Sequence, residues 1–414
     1  MRAFIGPENL KIILVILFFT VLFEQSGVLI ILPVLPDLLY EITGSDVADT
    51  AQIGGFLSAS YALMQLIFGP IIGKLSDHYG RRKILVISSF VFIFDYLIMA
   101  FATELWVLFL GRILAGITGA CLVTGLACVA DISSPESKTK NYAFIYAALG
   151  LGLIVGPIIS SISVRIGLAF HLGVRAPFFF ASMFALVNFL VILFFMPETL
   201  AENKRNKFKV ESPFKPIVKF SQYPGLKKMF LSHFIFMIAV QAPFVLTSFF
   251  VKEKLKWDPV QTADLFIWIG VVMIVVQLVA VPKLYPKLGN INICYLGMIL
   301  FALGMLMMVF VNNTGILYFA SALFGCSMIS NSAYSSLYTS QVKENEQGEL
   351  QGVISSFVSL ATIIGLLFMT DLFKFSVEQD ILLRESNPFL VATFLTLISF
   401  VYLISAFNKL EHKL

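Results

Sequence analysis

The chain has 414 residues, 58% of them apolar and only 13% charged, where an average soluble domain carries about 25% charged residues. With a mean hydropathy of +0.89, a water-soluble globule could not cover its apolar surface, so lipid must act as solvent for much of the length. The net charge of +4 is gathered in short segments between apolar runs, which argues against a nucleic-acid surface.

A bilayer core about 30 Å thick needs about 20 apolar residues per helix. That ruler predicts spans at 10–35, 51–73, 84–102, 106–130, 142–162 and 176–196, then at 228–251, 260–281, 291–311, 315–339, 351–372 and 388–408. The first run continues to Pro33 and Pro36 and reads as a transmembrane helix, not a cleaved leader. Segments of about ten residues with alternating polarity, the mark of a membrane barrel, are missing. The four cysteines (Cys121, Cys128, Cys294, Cys326) all lie in apolar runs without metal-ligand spacing, as buried small residues do.

Basic residues set the expected orientation. With the N-terminus inside, the cytoplasmic segments hold 21 Lys and Arg and the opposite side 7, with Arg112 inside a span. By the positive-inside rule both termini are cytoplasmic. The polar stretch from Pro197 to Lys228 divides the spans into two sets of six, and a repeat crosses the division. Lys74-Leu75-Ser76-Asp77-His78-Tyr79-Gly80 matches Lys283-Leu284-Tyr285-Pro286-Lys287-Leu288-Gly289 at an offset of 209 residues. The expected domains are a bundle over 1–200, a cytoplasmic linker over 201–227 and a second bundle over 228–414. An all-α membrane protein of 12 transmembrane helices in two six-helix bundles follows.

Charges within the spans are costly and normally face a cavity or a partner. Glu24 lies in the middle of the first span, Asp95 in the third and Arg112 in the fourth. Two roles stand open for them: proton coupling or substrate contact, or a helix-bundling ion pair such as Asp95 with Arg112. Tyr61 and Gln65 share a face of the second span. They can line a cavity, as can Gln241, Gln277, Asn331, Tyr334 and Tyr338 in the second half, or serve interhelical packing instead. His233 is a further candidate proton carrier, near one end of the seventh span. Gly152 and Gly156, four residues apart, allow close helix approach, and Pro157 bends the fifth span.

The loop Gly73-Lys74-Leu75-Ser76-Asp77-His78-Tyr79-Gly80-Arg81-Arg82-Lys83 matches the signature between helices 2 and 3 of major facilitator transporters. From Gly54 to Leu200 the chain further resembles the tetracycline/proton antiporters of the twelve-helix drug-exporter branch. The shared stretches include Tyr61-Ala62-Leu63-Met64-Gln65, Asp95-Tyr96-Leu97, Leu110-Gly111-Arg112-Ile113-Leu114-Ala115-Gly116, Ala130-Asp131-Ile132 and Pro197-Glu198. Pro33-Val34-Leu35-Pro36 in the first span, and Gln341-Val342 with Gln347-Gly348-Glu349-Leu350-Gln351-Gly352 in the second half, also fit.

This resemblance implies the major facilitator fold, with a substrate site between the halves near the bilayer midplane. It implies Glu24, Asp95 and Arg112 as coupling residues, and a gate latch of Gly73, Asp77, Gly80, Arg81, Arg82 and Asp131. It also implies an antiporter motif at Gly152, Gly156 and Pro157, although Ser160-Ser161 stand where the motif carries a glycine pair. In the second half Met273 and Phe301 replace the family's coupling histidine and aspartate, which weakens tetracycline as the cargo. The expected function is proton-driven export of a small amphipathic compound such as a drug, toxic metabolite or siderophore. Nutrient uptake by symport or facilitated diffusion on the same fold is the alternative. The expectation includes no cofactor, metal, nucleic acid or enzymatic activity, a functional monomer, and a place in the inner membrane.

Overall fold

A computed structural model describes residues 7–119, 121–133, 135–200, 226–339, 347–381 and 383–411. The expected linker, apart from its last two residues, and Gln341-Val342 lie outside the described residues. Every element is helical because a backbone in lipid must satisfy its own N–H and C=O groups. In chain order the helices are α1 (Pro7–Ile30), α2 (Leu35–Thr43), α3 (Val47–Tyr79), α4 (Arg81–Phe101), α5 (Leu105–Thr118), α6 (Cys121–Ile132), α7 (Pro135–Ala169) and α8 (Ala176–Phe195). The second half contains α9 (Leu226–Leu255), α10 (Pro259–Val275), α11 (Val281–Val309), α12 (Thr314–Ser327), α13 (Ile329–Thr339), α14 (Gln347–Glu378) and α15 (Asn387–Glu411).

Among the described residues, twelve helical stretches are long and apolar enough to cross a bilayer, so the chain is a multi-pass membrane protein. Large apolar side chains such as Phe101, Phe194 and Leu278 remain exposed, as lipid contact requires. The expected spans hold with shifted ends. The first stops at Ile30, before Pro33, because proline lacks the N–H that continues a helix. The chain then forms the short α2, between the first and second expected spans. Gly44 ends α2 in the left-handed region at φ 66°, its N–H donating to the Tyr40 carbonyl, a glycine C-cap.

Two six-helix bundles form, and their pairing repeats. In the first, α1 packs on α7 and α8, and α4 on α5 and α8; in the second, α9 packs on α14 and α15, and α11 on α12 and α15. The repeat extends to backbone detail at the same 209-residue offset. Gly80 and Gly289 both take positive φ, 102° and 71°, values that favour glycine. The spans broken between α5 and α6 at Gly119 and between α12 and α13 at Met328 interrupt at matching positions.

Contacts group Met1–Gly44 with Ser60–Glu211 as one unit and Ser45–Ala59 with Ser212–Leu414 as the other. The start of α3 therefore belongs with the second unit. Asp49 there pairs with Lys374 of α14 at 2.7 Å. Lys374 Nζ also donates to Gln52 Oε1 at 3.0 Å, and Gln52 Nε2 donates to Asp371 Oδ1 at 2.6 Å.

Lipid supplies no hydrophobic force between helices, so small residues set the contacts. A Cβ at Gly152 would lie 2.6 Å from Gln25 Cβ, and one at Gly156 would lie 2.6 Å from the Ser26 carbonyl oxygen. Gly365, 209 residues after Gly156, meets Gln241 of α9 in the same way. Gly150 faces open space. We predict that Gly156→Ala destabilises the detergent-solubilised protein by about 1–3 kcal/mol through overpacking. Gly150→Ala is expected to be neutral or slightly stabilising. Thermal melting followed by size-exclusion chromatography measures both.

Candidate functional site

Two polar clusters occupy the first unit. The first lies at the α3–α4 junction. Arg81 is buried at 7% exposure and pairs with Asp77 at 2.5 Å and with Asp131 of α6 at 3.0 Å. Its Nη1 also donates to Ser76 Oγ at 2.6 Å, and Ser76 Oγ donates to the Gly73 carbonyl at 2.7 Å. Arg82 Nη2 donates to the Leu193 carbonyl of α8 at 2.6 Å. Gly73, Asp77, Gly80, Arg81, Arg82 and Asp131 thus converge on one corner, where three helices are tied through one guanidinium.

Glu198 completes this corner, a role that sequence reading did not assign. Its carboxylate accepts from the Arg81 and Arg82 backbone N–H groups at 2.9 and 3.3 Å, and from Leu200 N–H at 3.0 Å. The first two are orphan donors at the start of α4, so Glu198 caps that helix from 116 residues away in sequence and complements its dipole. A carboxylate just after a transmembrane span, following Pro197, was the only available signal.

The second cluster lies deep within the spans. Asp95 on α4 is 1% exposed, and among the described residues its Oδ1 has no hydrogen-bond partner. Gly111 makes room for it: a Cβ at that position would sit 2.9 Å from Asp95 Oδ1. Arg112, 4% exposed, turns to Met99, its Nη2 donating to the sulfur at 3.1 Å. Its guanidinium carbon lies 6.0 Å from the Tyr61 ring centroid, the outer limit of a cation–π contact. The two charges are close enough to interact electrostatically, but the described ion pairs do not join them. The bundling pair Asp95–Arg112 is therefore not the arrangement found.

Gln65 stands one turn from Tyr61 on α3, and its Nε2 donates to the Gly119 carbonyl at 3.0 Å, satisfying the break between α5 and α6. On α1, Glu24 is half-buried and immediately precedes Gln25 and Ser26, the residues against which Gly152 and Gly156 of α7 press. Pro157 lies within α7, which continues to Ala169. Tyr96 of α4 lies within electrostatic reach of Glu24, Asp95, Arg112 and Tyr61. The structure thus collects Glu24, Asp95, Arg112 and Tyr61 around one tyrosine, and Gly27 of α1 leaves the room its hydroxyl occupies.

The second unit has a different character. Gln241 of α9 is buried, its Nε2 donating to the Met237 carbonyl at 3.2 Å and reaching Thr362 Oγ1 at 3.4 Å. Gln277 is exposed in a π-helical turn, Val276–Ala280, and Asn331 is exposed on α13. Met273 is buried, and Phe301 is fully buried between Phe236 and Phe324, at centroid distances of 5.2 and 6.0 Å. His233 stacks on Tyr334 at 4.4 Å, and the Tyr338 hydroxyl donates to the Met229 carbonyl at 3.1 Å. Among the described residues no group of His, Cys, Asp or Glu could hold a metal ion.

Two bundles of six apolar helices, with buried charges in one of them, define a polytopic transporter. A profile of the Major Facilitator Superfamily matches residues 15–366, and the chain belongs to that family. It is therefore a transporter of small molecules rather than an enzyme. It is similar to the tetracycline resistance proteins of class E (33% identical over 356 residues, 85% of each chain) and class B (31% over 371 residues, 89% of each), both from Escherichia coli. The fold is also that of a solved D-xylose–proton symporter, with a TM-score of 0.76, 14% identity, and coverage of 95% of this chain and 97% of that one.

The corner around Arg81 yields a direct test. Glu198→Ala leaves two helix-start N–H groups without their acceptor, and a stability loss of about 0.5–2 kcal/mol is expected. Arg81→Ala removes ties to Asp77, Ser76 and Asp131 together and should cost more. Melting temperatures of the purified proteins rank the two.

Proposed function

We propose that the chain is a proton-coupled exporter of a small amphipathic compound (a drug, toxic metabolite or siderophore-like molecule, tetracycline among the possibilities) working by alternating access. In this reading the two bundles, 1–200 and 228–414, are joined by the cytoplasmic linker 201–227. The protein acts as a monomer in the inner membrane with both termini cytoplasmic, and the proton gradient drives it without a cofactor. Asp95, Glu24 and Arg112 couple to protons. Tyr61, Gln65, Gln241, Gln277 and Asn331 contact substrate, and the corner of Gly73, Asp77, Gly80, Arg81, Arg82 and Asp131 latches the gate.

The observation that carries this reading is the burial of Asp95. Adding or removing a charge on a carboxyl 1% exposed and unbonded at Oδ1 changes the local energy by several kcal/mol. A switch between two facing states needs a difference of that size. Protonation from outside would release Asp95 and Arg112 from their mutual field and favour one state, while loss of the proton inside would favour the other. The antiporter glycines support exchange rather than uniport, because Gly152 and Gly156 press on the residues next to Glu24. The names of the relatives, tetracycline resistance proteins, support export. The aromatic packing of Phe301 and the apolar Met273 favour a solute bound by shape and stacking, without a charged partner at those two positions.

The test uses everted vesicles acidified by respiration, with a compound panel that includes tetracycline. Addition of a substrate is expected to collapse part of the pH gradient. Asp95→Asn should abolish both this response and resistance in growing cells at unchanged protein level. Absence of any gradient response across the panel would overturn the reading, and full resistance in the Asp95→Asn strain would remove Asp95 from coupling.

A further inference from the structure

A further polar feature of the first unit adjoins Glu24, and the proposed coupling scheme gives it no role. A small pocket opens inside this bundle between α1, α4, α7 and α8, with Glu24, Thr20, Ser26, Ser89, Tyr96 and Asn188 as its polar lining. Three of these side chains, from three helices, form a chain. Thr20 Oγ1 lies 3.0 Å from Asn188 Oδ1, and Asn188 Nδ2 donates to Ser89 Oγ at 3.3 Å. Thr20, Asn188 and Ser89 are 1%, 7% and 3% exposed, so each is more than nine-tenths buried.

Two details distinguish this chain from a plain interhelical clamp. The single Thr20 hydroxyl hydrogen has two acceptors in reach, Asn188 Oδ1 and the Ile16 carbonyl at 2.9 Å, so it can turn from one to the other. Ser89 accepts from Asn188, while no acceptor for its own hydrogen is described although its side chain is buried on the lining. A donor left over at a polar cavity is where an ordered water binds. The free space suits about one or two waters and is far below the hundreds of Å³ that a drug-sized solute needs. The stacked Phe23 and Phe184 rings, 5.5 Å apart, form an apolar part of the wall.

We propose that this pocket is a hydrated proton site for Glu24, in which water held by Ser89, Asn188 and Thr20 exchanges protons with the Glu24 carboxyl separately from Asp95. The step balances simply: a hydronium in the pocket gives its proton to the carboxylate, leaving a carboxylic acid and a neutral water, and the reverse step returns it. Tyr96 of α4 lines the pocket with Glu24, and Asp95 on α4, Arg112 on α5 and Tyr61 on α3 lie within electrostatic reach of Tyr96. The lining residues from α7 and α8, among them Ile159, Phe184 and Asn188, bring no ionisable group. Glu24 would then be the acid reached through water within the bundle, and Asp95 the acid set beside Arg112. The inference rests on the proton-coupled reading above.

The experiment needs no transported ligand, only water and pH. In proteoliposomes of the full chain, infrared difference spectra between about pH 5 and 9 should show carboxyl bands assignable through Glu24→Gln and Asp95→Asn. After transfer to deuterated buffer, Ala185→Leu, which fills the pocket, and Asn188→Leu, which removes the water-holding amide, should slow exchange at Glu24 at least about tenfold while leaving the Asp95 band unchanged. If Ala185→Leu does not yield folded protein, Ala185→Val serves in its place. Wild-type exchange at Glu24 in both variants, with only a lower melting temperature, would overturn the inference and leave a structural clamp. A titrating Asp95 with a silent Glu24 would overturn it alone. Silence of both acids would take the proton-coupled reading with it.

Discussion

Helices in lipid gain nothing by hiding apolar surface from one another, because the surrounding chains are equally apolar. What holds each bundle is van der Waals contact where two backbones come close enough to touch. In the first unit this happens where Gly152 and Gly156 of α7 meet Gln25 and Ser26 of α1, and in the second where Gly365 of α14 meets Gln241 of α9. The position of Glu24, the wall of the pocket beside it and the approach of Tyr96 to Gly27 all depend on α1 being drawn in at that crossing. The small residues thus fix the geometry, and the polar chemistry is placed by it.

The two units share a backbone plan but not a chemistry. Pairing of helices, the glycine turns at Gly80 and Gly289 and the broken spans all repeat at one offset. Among the described residues, buried charge does not. Asp95, Arg112 and Glu24 lie near Tyr96 in the first unit, whereas Phe236, Phe301 and Phe324 pack together in the second. Duplicated folds can divide labour this way because packing tolerates apolar replacement, while an ionisable group survives in a span only where it has a use.

The corner around Arg81 shows how a short loop acquires rigidity in such a fold. A tight turn at Gly80 places the arginine under α6, and Glu198 returns from the end of α8 to satisfy the first N–H groups of α4. One cation and two carboxylates from separate helices thereby lock three helix ends. Several ties on one cation couple these helix ends more firmly than scattered surface pairs would, whose individual worth is small.

Much of this was legible in the amino-acid sequence. Composition required a lipid solvent, the lengths of the apolar runs required twelve crossings, and the loop Gly73–Lys83 with its echo at Lys283–Gly289 required a duplicated bundle. These properties are local, and lipid imposes them directly on each segment. Tertiary structure alone decided the rest, since it depends on which helix faces meet. Sequence spacing left Asp95 and Arg112 open as a pair, and in the structure the described ion pairs do not join them: Met99 takes the arginine and Gly111 makes room for the acid. The cap from Glu198 spans 116 residues and has no periodic signal. Thr20, Ser89 and Asn188 are ordinary small polar residues in three separate runs, and only the packing of α1, α4 and α8 turns them into a connected chain beside Glu24.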